Sequence, residues 1–278
     1  METLAETQCQ RHLLAPGVQR IPLAVGDFCN GTLFLPSEAS GAGPGPYPLV
    51  VRILGGVQKG QVIEDQSALL AARCGVASFS MGFYGVNGLP KTYLGRPLDV
   101  DKYEKCLDHL MSLPQVRSDV GAVVIGSSKG AELALLMSSF TPDKISGVIS
   151  INGLCNSLMN DVTQHGKTVL EGIWFDDMEK LMSKVKRLDG NFVNLQSLSD
   201  FYEFEGDKST IPFHKNRTAR YMFVAGGDDQ NYKMQRMQEY ARSLAKQWSM
   251  EDRYAHYYTK RVEKGFLFQN HPLEQIWA

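Results

Sequence analysis

No apolar run of about eighteen residues or more occurs anywhere in the 278-residue sequence, so a helical membrane span is not expected. Charge of one sign is equally lacking. Against 30 Asp and Glu stand 29 Lys and Arg, a net charge of −1, so no strong field draws the chain to nucleic acid or to an anionic membrane. Cysteines are few, five at positions 9, 29, 74, 106 and 155, odd in number and without metal-ligand spacing. They read as reduced, mostly buried thiols, and no metal site is expected. Met1-Glu2-Thr3-Leu4-Ala5-Glu6 has no basic stretch followed by an apolar one, so no secretory signal is visible. Its two acids before the first arginine count against a mitochondrial presequence, and Ile276-Trp277-Ala278 is no peroxisomal address. The expected location is cytoplasmic. No internal repeat, low-complexity tract or coiled-coil heptad is present.

What is present is an alternation of buried strands and amphipathic helices. Residues 1–17 form a polar lead. Val18–Val25 and Phe28–Leu35 read as an antiparallel hairpin, and the Gly- and Pro-rich 36–48 as a loop. Leu49–Leu54, Val76–Met81, Ala122–Ile125, Ile145–Ile151, Tyr221–Ala225 and Tyr254–Tyr258 read as strands. Glu64–Arg73, a segment capped by Asp99 or Asp101 and running to Ser112, Ala131–Phe140 and Asn231–Lys246 read as helices. The pattern predicts one α/β domain over 18–278, a mostly parallel sheet with helices on both faces. Residues 154–215 break the rhythm and are expected to form a lid-like insertion carrying a helix at Phe175–Arg187.

The chemistry centres on Gly126-Ser127-Ser128-Lys129-Gly130, set between the strand Val123-Val124-Ile125 and an apolar-periodic helix. In that context Gly-x-Ser-x-Gly is a nucleophile elbow, and Ser128 is the candidate nucleophile. The glycines leave room beside it, and a helix starting at Lys129 aims its first amides at a bound carbonyl oxygen. Backbone N–H groups of Lys129 and of Gly55 or Gly56, after the strand Leu49–Leu54, are the candidate oxyanion donors. A plain tight turn is the bland alternative for the glycine pair.

Further stretches carry a resemblance. Arg11-His12-Leu13 with Pro16-Gly17-Val18, Gly31-Thr32-Leu33-Phe34-Leu35-Pro36, Leu89-Pro90-Lys91-Thr92, Ser128-Lys129-Gly130 with Glu132-Leu133, Ile151-Asn152-Gly153 and Gly227-Asp228-Asp229-x-Asn231 stand in order along the chain. Together they resemble the C-terminal α/β-hydrolase domain of the type I acyl-CoA thioesterases and bile acid-CoA:amino acid N-acyltransferase. The resemblance begins near where the family's N-terminal β-sandwich domain would hand over to the hydrolase, and no such domain is expected in this sequence. The family's C-terminal Gly-His-x-x-Glu-Pro-Pro block is replaced by Tyr258-Thr259-Lys260-Arg261-Val262-Glu263-Lys264-Gly265, so the end of the fold is expected to be truncated.

The resemblance implies a Ser–acid–His order with Asp229, ahead of Asp228, as the acid. For the base it favours His271, whose His271-Pro272-Leu273-Glu274 keeps the family's His-x-x-Glu spacing. His256, inside the last strand, is the second candidate, and no working base the third. His12, His109, His165 and His214 read as surface or core residues. The implied reaction is hydrolysis of a fatty acyl-CoA through an acyl-serine, with no cofactor. Serine rather than cysteine at the elbow fits the hydrolase branch. Two alternatives remain open: an impaired homologue that binds acyl-CoA, and a carboxylesterase or dienelactone-hydrolase-like enzyme. Trp174, Phe175, Phe192, Phe201, Tyr202 and Phe204 are candidates for an acyl groove, and Lys184, Lys186 and Arg187 for the CoA phosphates. The oligomeric state is not legible.

Overall fold

Leu49-Val50-Val51-Arg52-Ile53 is continuously buried, as a strand covered on both faces must be, and forms the strand β3 (Leu49–Ile53) near the middle of the sheet. The computed structural model describes residues 15, 17–26, 29–37, 41–55, 61–84, 89–90, 95–173, 186–188, 192–194, 208–227, 229 and 233–259, with backbone alone at 61–63, 186–188 and 192–194. Two antiparallel strands, β1 (Gln19–Val25) and β2 (Cys29–Leu35), open the chain, and β2 pairs antiparallel with β4 (Ala77–Gly82). From β4 onward every pairing in the sheet is parallel. The remaining strands are β6 (Ala122–Ser127), β7 (Ile145–Ile151), β12 (Arg220–Gly226) and β13 (Tyr254–Thr259), and the eight run in the order β1-β2-β4-β3-β6-β7-β12-β13.

Helix α1 (Gln61–Cys74) places Leu70 against the face bearing Val50, Ile125, Ile151 and Val224. The opposite face carries the larger core, with α2 (Val100–Met111), α3 (Lys129–Phe140) and α4 (Met234–Gln247). Asp99 is the cap of α2, its Oδ1 accepting from the Asp101 N–H at 3.2 Å, and the face Val100, Tyr103, Cys106, Leu107, Leu110 is buried. All of α3 is buried, which makes it a core helix rather than an amphipathic one. Each of its leucines contributes about 1.5–3 kcal/mol through removal from water. No helix among the described residues is long and apolar enough to cross a membrane.

The chain passes from β3 to β4 on one side and returns to β6 on the other, so the strand order reverses between β3 and β6. In open parallel sheets the crevice outside the carboxyl ends at such a reversal is where ligands bind. Gly55 leaves β3 there, and Ser128 leaves β6.

Within the expected insertion 154–215, the described start at 154–158 is buried. Short strands β8 (Val162–Gln164) and β9 (Lys167–Leu170) join β5 (Leu98–Asp99) in a second sheet. Ser157 N donates to Ser209 O at 2.9 Å and Ile211 N to Cys155 O at 2.8 Å, closing the two ends of the excursion on each other. The expected helix Phe175–Arg187 ends differently, because Lys186–Leu188 is a strand, β10, paired antiparallel with β11 (Phe192–Asn194). Residues 174–185 lie outside the described residues, as do the acyl-groove candidates Trp174, Phe175, Phe201, Tyr202 and Phe204 and the phosphate candidate Lys184. Cys29 and Cys106, 77 positions apart, meet with sulfurs 2.7 Å from each other between β2 and α2. That contact, and then burial, raises the Cys29 pKa above the usual thiol range.

Candidate active site

Ser128 is the pivot between β6 and α3. Its φ of 56° and ψ of −124° lie in a region that side chains rarely occupy. Such a conformation costs about 1–3 kcal/mol and persists where surrounding contacts over-determine it. Those contacts are visible: Ser128 N donates to Ile151 O at 2.9 Å, and Ala131 N donates to Ser128 O at 2.9 Å. The flanking glycines are required by close approach. A Cβ on Gly126 would lie 2.1 Å from the Gly130 carbonyl oxygen, and one on Gly130 would lie 2.4 Å from that of Ile53. Ser128→Gly is therefore expected to remove the nucleophile and yet raise stability, by about 1 kcal/mol after the extra backbone entropy of glycine. Thermal denaturation checks this as an upward shift in Tm.

Gly55 packs against the elbow from β3. A methyl group there would lie 2.6 Å from Ser128 Cβ, 2.7 Å from the Ser127 carbonyl oxygen and 2.8 Å from Lys129 N. The backbone after β3 thus lies directly beside the first amide of α3. Gly56, the other sequence candidate, lies outside the described residues. Tyr84, just past β4 and 7% exposed, donates its hydroxyl to the Gly55 carbonyl at 3.0 Å. Its ring meets Phe83 edge to face, centroids 4.8 Å apart. Sequence reasoning missed Tyr84. The available signal was an aromatic pair at the carboxyl end of a buried strand.

The Lys129 side chain turns away from the crevice into the core. Its Nζ lies 2.5 Å from Glu132 Oε1 and donates to the Leu158 carbonyl at 2.6 Å, with the two side chains 6% and 2% exposed. Glu132 Oε1 also accepts from the Leu158 N–H and the Ser157 hydroxyl, each at 3.2 Å. Burial lowers the Lys129 ammonium pKa and raises that of the Glu132 carboxyl, while each partner opposes the other's shift. The pair ties the first turn of α3 to residues 157–158. It fixes the residue whose N–H is the candidate oxyanion donor.

Asp229 follows β12 and is 2% exposed. A chain of hydrogen bonds along the carboxyl edge connects it to the serine. Asn152, in the left-handed region at φ 48°, donates its N–H to Val224 O at 2.9 Å. Its side-chain oxygen accepts from Gly226 N at 2.8 Å, and Asp229 N donates to Gly226 O at 3.2 Å. Ile151, the neighbour of Asn152, holds Ser128. Helix α4 starts only at Met234 with Lys233 in the capping position, so Asp229 is not its cap. Asp228 lies outside the described residues.

His256 pairs in register with Phe223, low on β13 and away from the carboxyl edge. It is exposed and bonded to Arg242 on α4, and burial followed by the Arg242 charge lowers its pKa. The structure does not bring it to Ser128. His109 is exposed on α2, His165 lies 3.2 Å from Asp101, and the His214 ring packs tilted against Trp248 with centroids 4.2 Å apart. His271 and His12 lie outside the described residues. β13 delivers the chain to the site's edge, where Gly227 N donates to Thr259 O at 2.7 Å.

A family model described as BAAT / Acyl-CoA thioester hydrolase C terminal matches residues 98–259. The chain is 32% identical over 246 residues to the mitochondrial acyl-coenzyme A thioesterase 2 of Rattus norvegicus, covering 88% of this chain and 49% of that protein. It is 33% identical over 230 residues to that of Homo sapiens, covering 83% of this chain and 44% of the relative. The chain spans about half the length of the curated relatives it matches. Among solved structures, an esterase of Pyrococcus furiosus superposes with a TM-score of 0.55 at 12% identity, covering 95% and 88% of the two chains. An α/β hydrolase from a deep-sea metagenome library superposes with a TM-score of 0.52 at 13% identity, covering 88% and 82%. These likenesses establish the α/β-hydrolase fold.

Proposed function

The chain belongs to the BAAT / acyl-CoA thioester hydrolase C-terminal family, and from that premise we propose that it hydrolyses fatty acyl-CoA to fatty acid and CoA through an acyl-serine on Ser128. The observation that carries the reading is the strained Ser128 at the head of α3, with Gly55 against it and the edge hydrogen bonds leading to Asp229. Ser128 Oγ attacks the thioester carbonyl carbon while a histidine takes its proton. The oxygen that becomes negative is held by Lys129 N–H and a backbone N–H at Gly55 or Gly56. Collapse breaks the C–S bond, and the histidine returns the proton to the departing sulfur. Water then attacks the acyl-serine with the same histidine as base, releasing the fatty acid and restoring the hydroxyl. Asp229 orients the imidazole and stabilises its protonated form.

His271 is the proposed base. It stands twelve residues beyond Thr259, and a stretch of that length spans up to about 40 Å when extended, ample to return to the crevice. The test compares CoA thiol release by His271→Gln and His256→Gln. His271→Gln is expected to lower kcat by about 10²–10⁴, and His256→Gln to leave both rate and pH profile unchanged. In the parent the rate falls as pH drops through the pKa of the base, since imidazolium accepts no proton. A loss confined to His256→Gln overturns the assignment. A parent without turnover favours the impaired acyl-CoA-binding homologue.

A further inference from the structure

We infer that Asn152 is a positioning residue that holds the nucleophile elbow and the acid turn in one register. The inference rests on the acyl-serine reading above, with Asp229 as its acid, and deepens it. β7 lies between the strand that carries Ser128 and the strand that leads to Asp229, and supplies neither. Its last peptide joins them. The Ile151 carbonyl accepts from Ser128 N, and the N–H of the same peptide, that of Asn152, donates to Val224 O, each at 2.9 Å. A trans peptide is planar with its C=O and N–H opposed, so this one unit ties β6 to β12 at their carboxyl ends. The Asn152 side chain extends the hold to the acid. Its Oδ1 accepts from Gly226 N at 2.8 Å, and Gly226 O in turn accepts from Asp229 N at 3.2 Å. Nδ2 of this fully buried side chain has no hydrogen-bond partner among the described residues, so the acceptor is its polar contribution there. Asparagine suits the place twice. It enters the left-handed region, here at φ 48°, more readily than most residues with a side chain, and it brings an uncharged acceptor. Asn152 touches no reacting atom. It acts through Asp229, so its loss falls on kcat and spares KM.

The test uses the full chain and reads two rates: CoA thiol release from a long-chain acyl-CoA, and covalent labelling of Ser128 by a fluorophosphonate, which needs an activated serine but no acyl-CoA. Asn152→Gly removes the side chain and keeps the peptide, because glycine adopts a φ of 48° without strain. It is expected to lower the labelling rate and kcat by about tenfold, with KM within about twofold. Asp229→Ala is expected to slow labelling by about 10²–10⁴. The double variant is expected to label no more slowly than Asp229→Ala, since no carboxylate remains to be placed. A backbone ester at position 226, which deletes the Gly226 N–H and leaves Asn152 intact, is expected to reproduce the Asn152→Gly loss. It stands in for that variant should glycine at 152 not fold. The same labelling pattern in a parent without thiol release keeps the inference and removes the thioesterase reading. Parent-rate labelling by Asn152→Gly or by the ester, losses that multiply in the double variant, or a loss carried by KM overturns the inference and leaves that reading standing. Parent-rate labelling by Asp229→Ala, or a parent that does not label, overturns the inference together with the role of Asp229.

Discussion

Replacing Ser128 by alanine is expected to reduce CoA thiol release by about 10⁴-fold or more, since loss of a nucleophile removes the covalent route and leaves only what binding and oxyanion donors supply. The effect is separable from folding. Alanine inherits the φ of 56° that serine endures, and it keeps the hydrogen bonds of its backbone to Ile151 and Ala131. Ser128→Ala is thus expected to melt within a few degrees of the parent. A variant that retains a tenth or more of the parent rate would place the chemistry elsewhere.

Glu132→Ala is expected to be the most destabilising single change near the site. It leaves the Lys129 ammonium, 6% exposed, without the carboxylate 2.5 Å away, and takes the shared acceptor from Leu158 N and the Ser157 hydroxyl. Breaking a buried pair by removing one partner costs about 3–5 kcal/mol. For a chain of this size each kcal/mol lowers Tm by about 2–4 °C, so a fall of roughly 10 °C is expected. Lys129→Met combined with Glu132→Leu is expected to recover most of it, because apolar side chains of similar volume remove both charges from the core. The contrast within that double-mutant cycle, read by thermal denaturation, separates the lost partner from a mere packing defect. A cost under about 1 kcal/mol for Glu132→Ala would mean that water reaches the pair.

The elbow was legible because three local signals agree: a β-branched run, glycines on both sides of the serine, and an apolar helix beyond. The Asp99 cap was legible for the same reason, an Asx residue directly ahead of a periodic face. Strands β5, β8 and β9 were not, since segments of two to four residues carry no alternation to read. Residues 154–160 read as loop because Asn and Ser are frequent there, yet they are mostly buried. Their side-chain amides reach tertiary partners: Asn156 Nδ2 donates to Ser209 Oγ at 3.1 Å, and Asn160 Nδ2 to the Arg96 carbonyl at 2.8 Å. Tyr84 on Gly55 and Cys29 beside Cys106 are likewise contacts between distant positions, which local pattern does not encode. His256 illustrates the converse. Its place in the chain order suits a base, its position inside the last strand counts against it, and its bond to Arg242 places its side chain against α4.

Rapid-quench mass spectrometry during a single turnover of a long-chain acyl-CoA tests the central claim most directly. The account expects a transient adduct of the acyl mass on the peptide containing Ser128, appearing with the CoA thiol and decaying as free fatty acid accumulates. Thiol release with no acylated serine at any time, or an adduct on another residue, would contradict it.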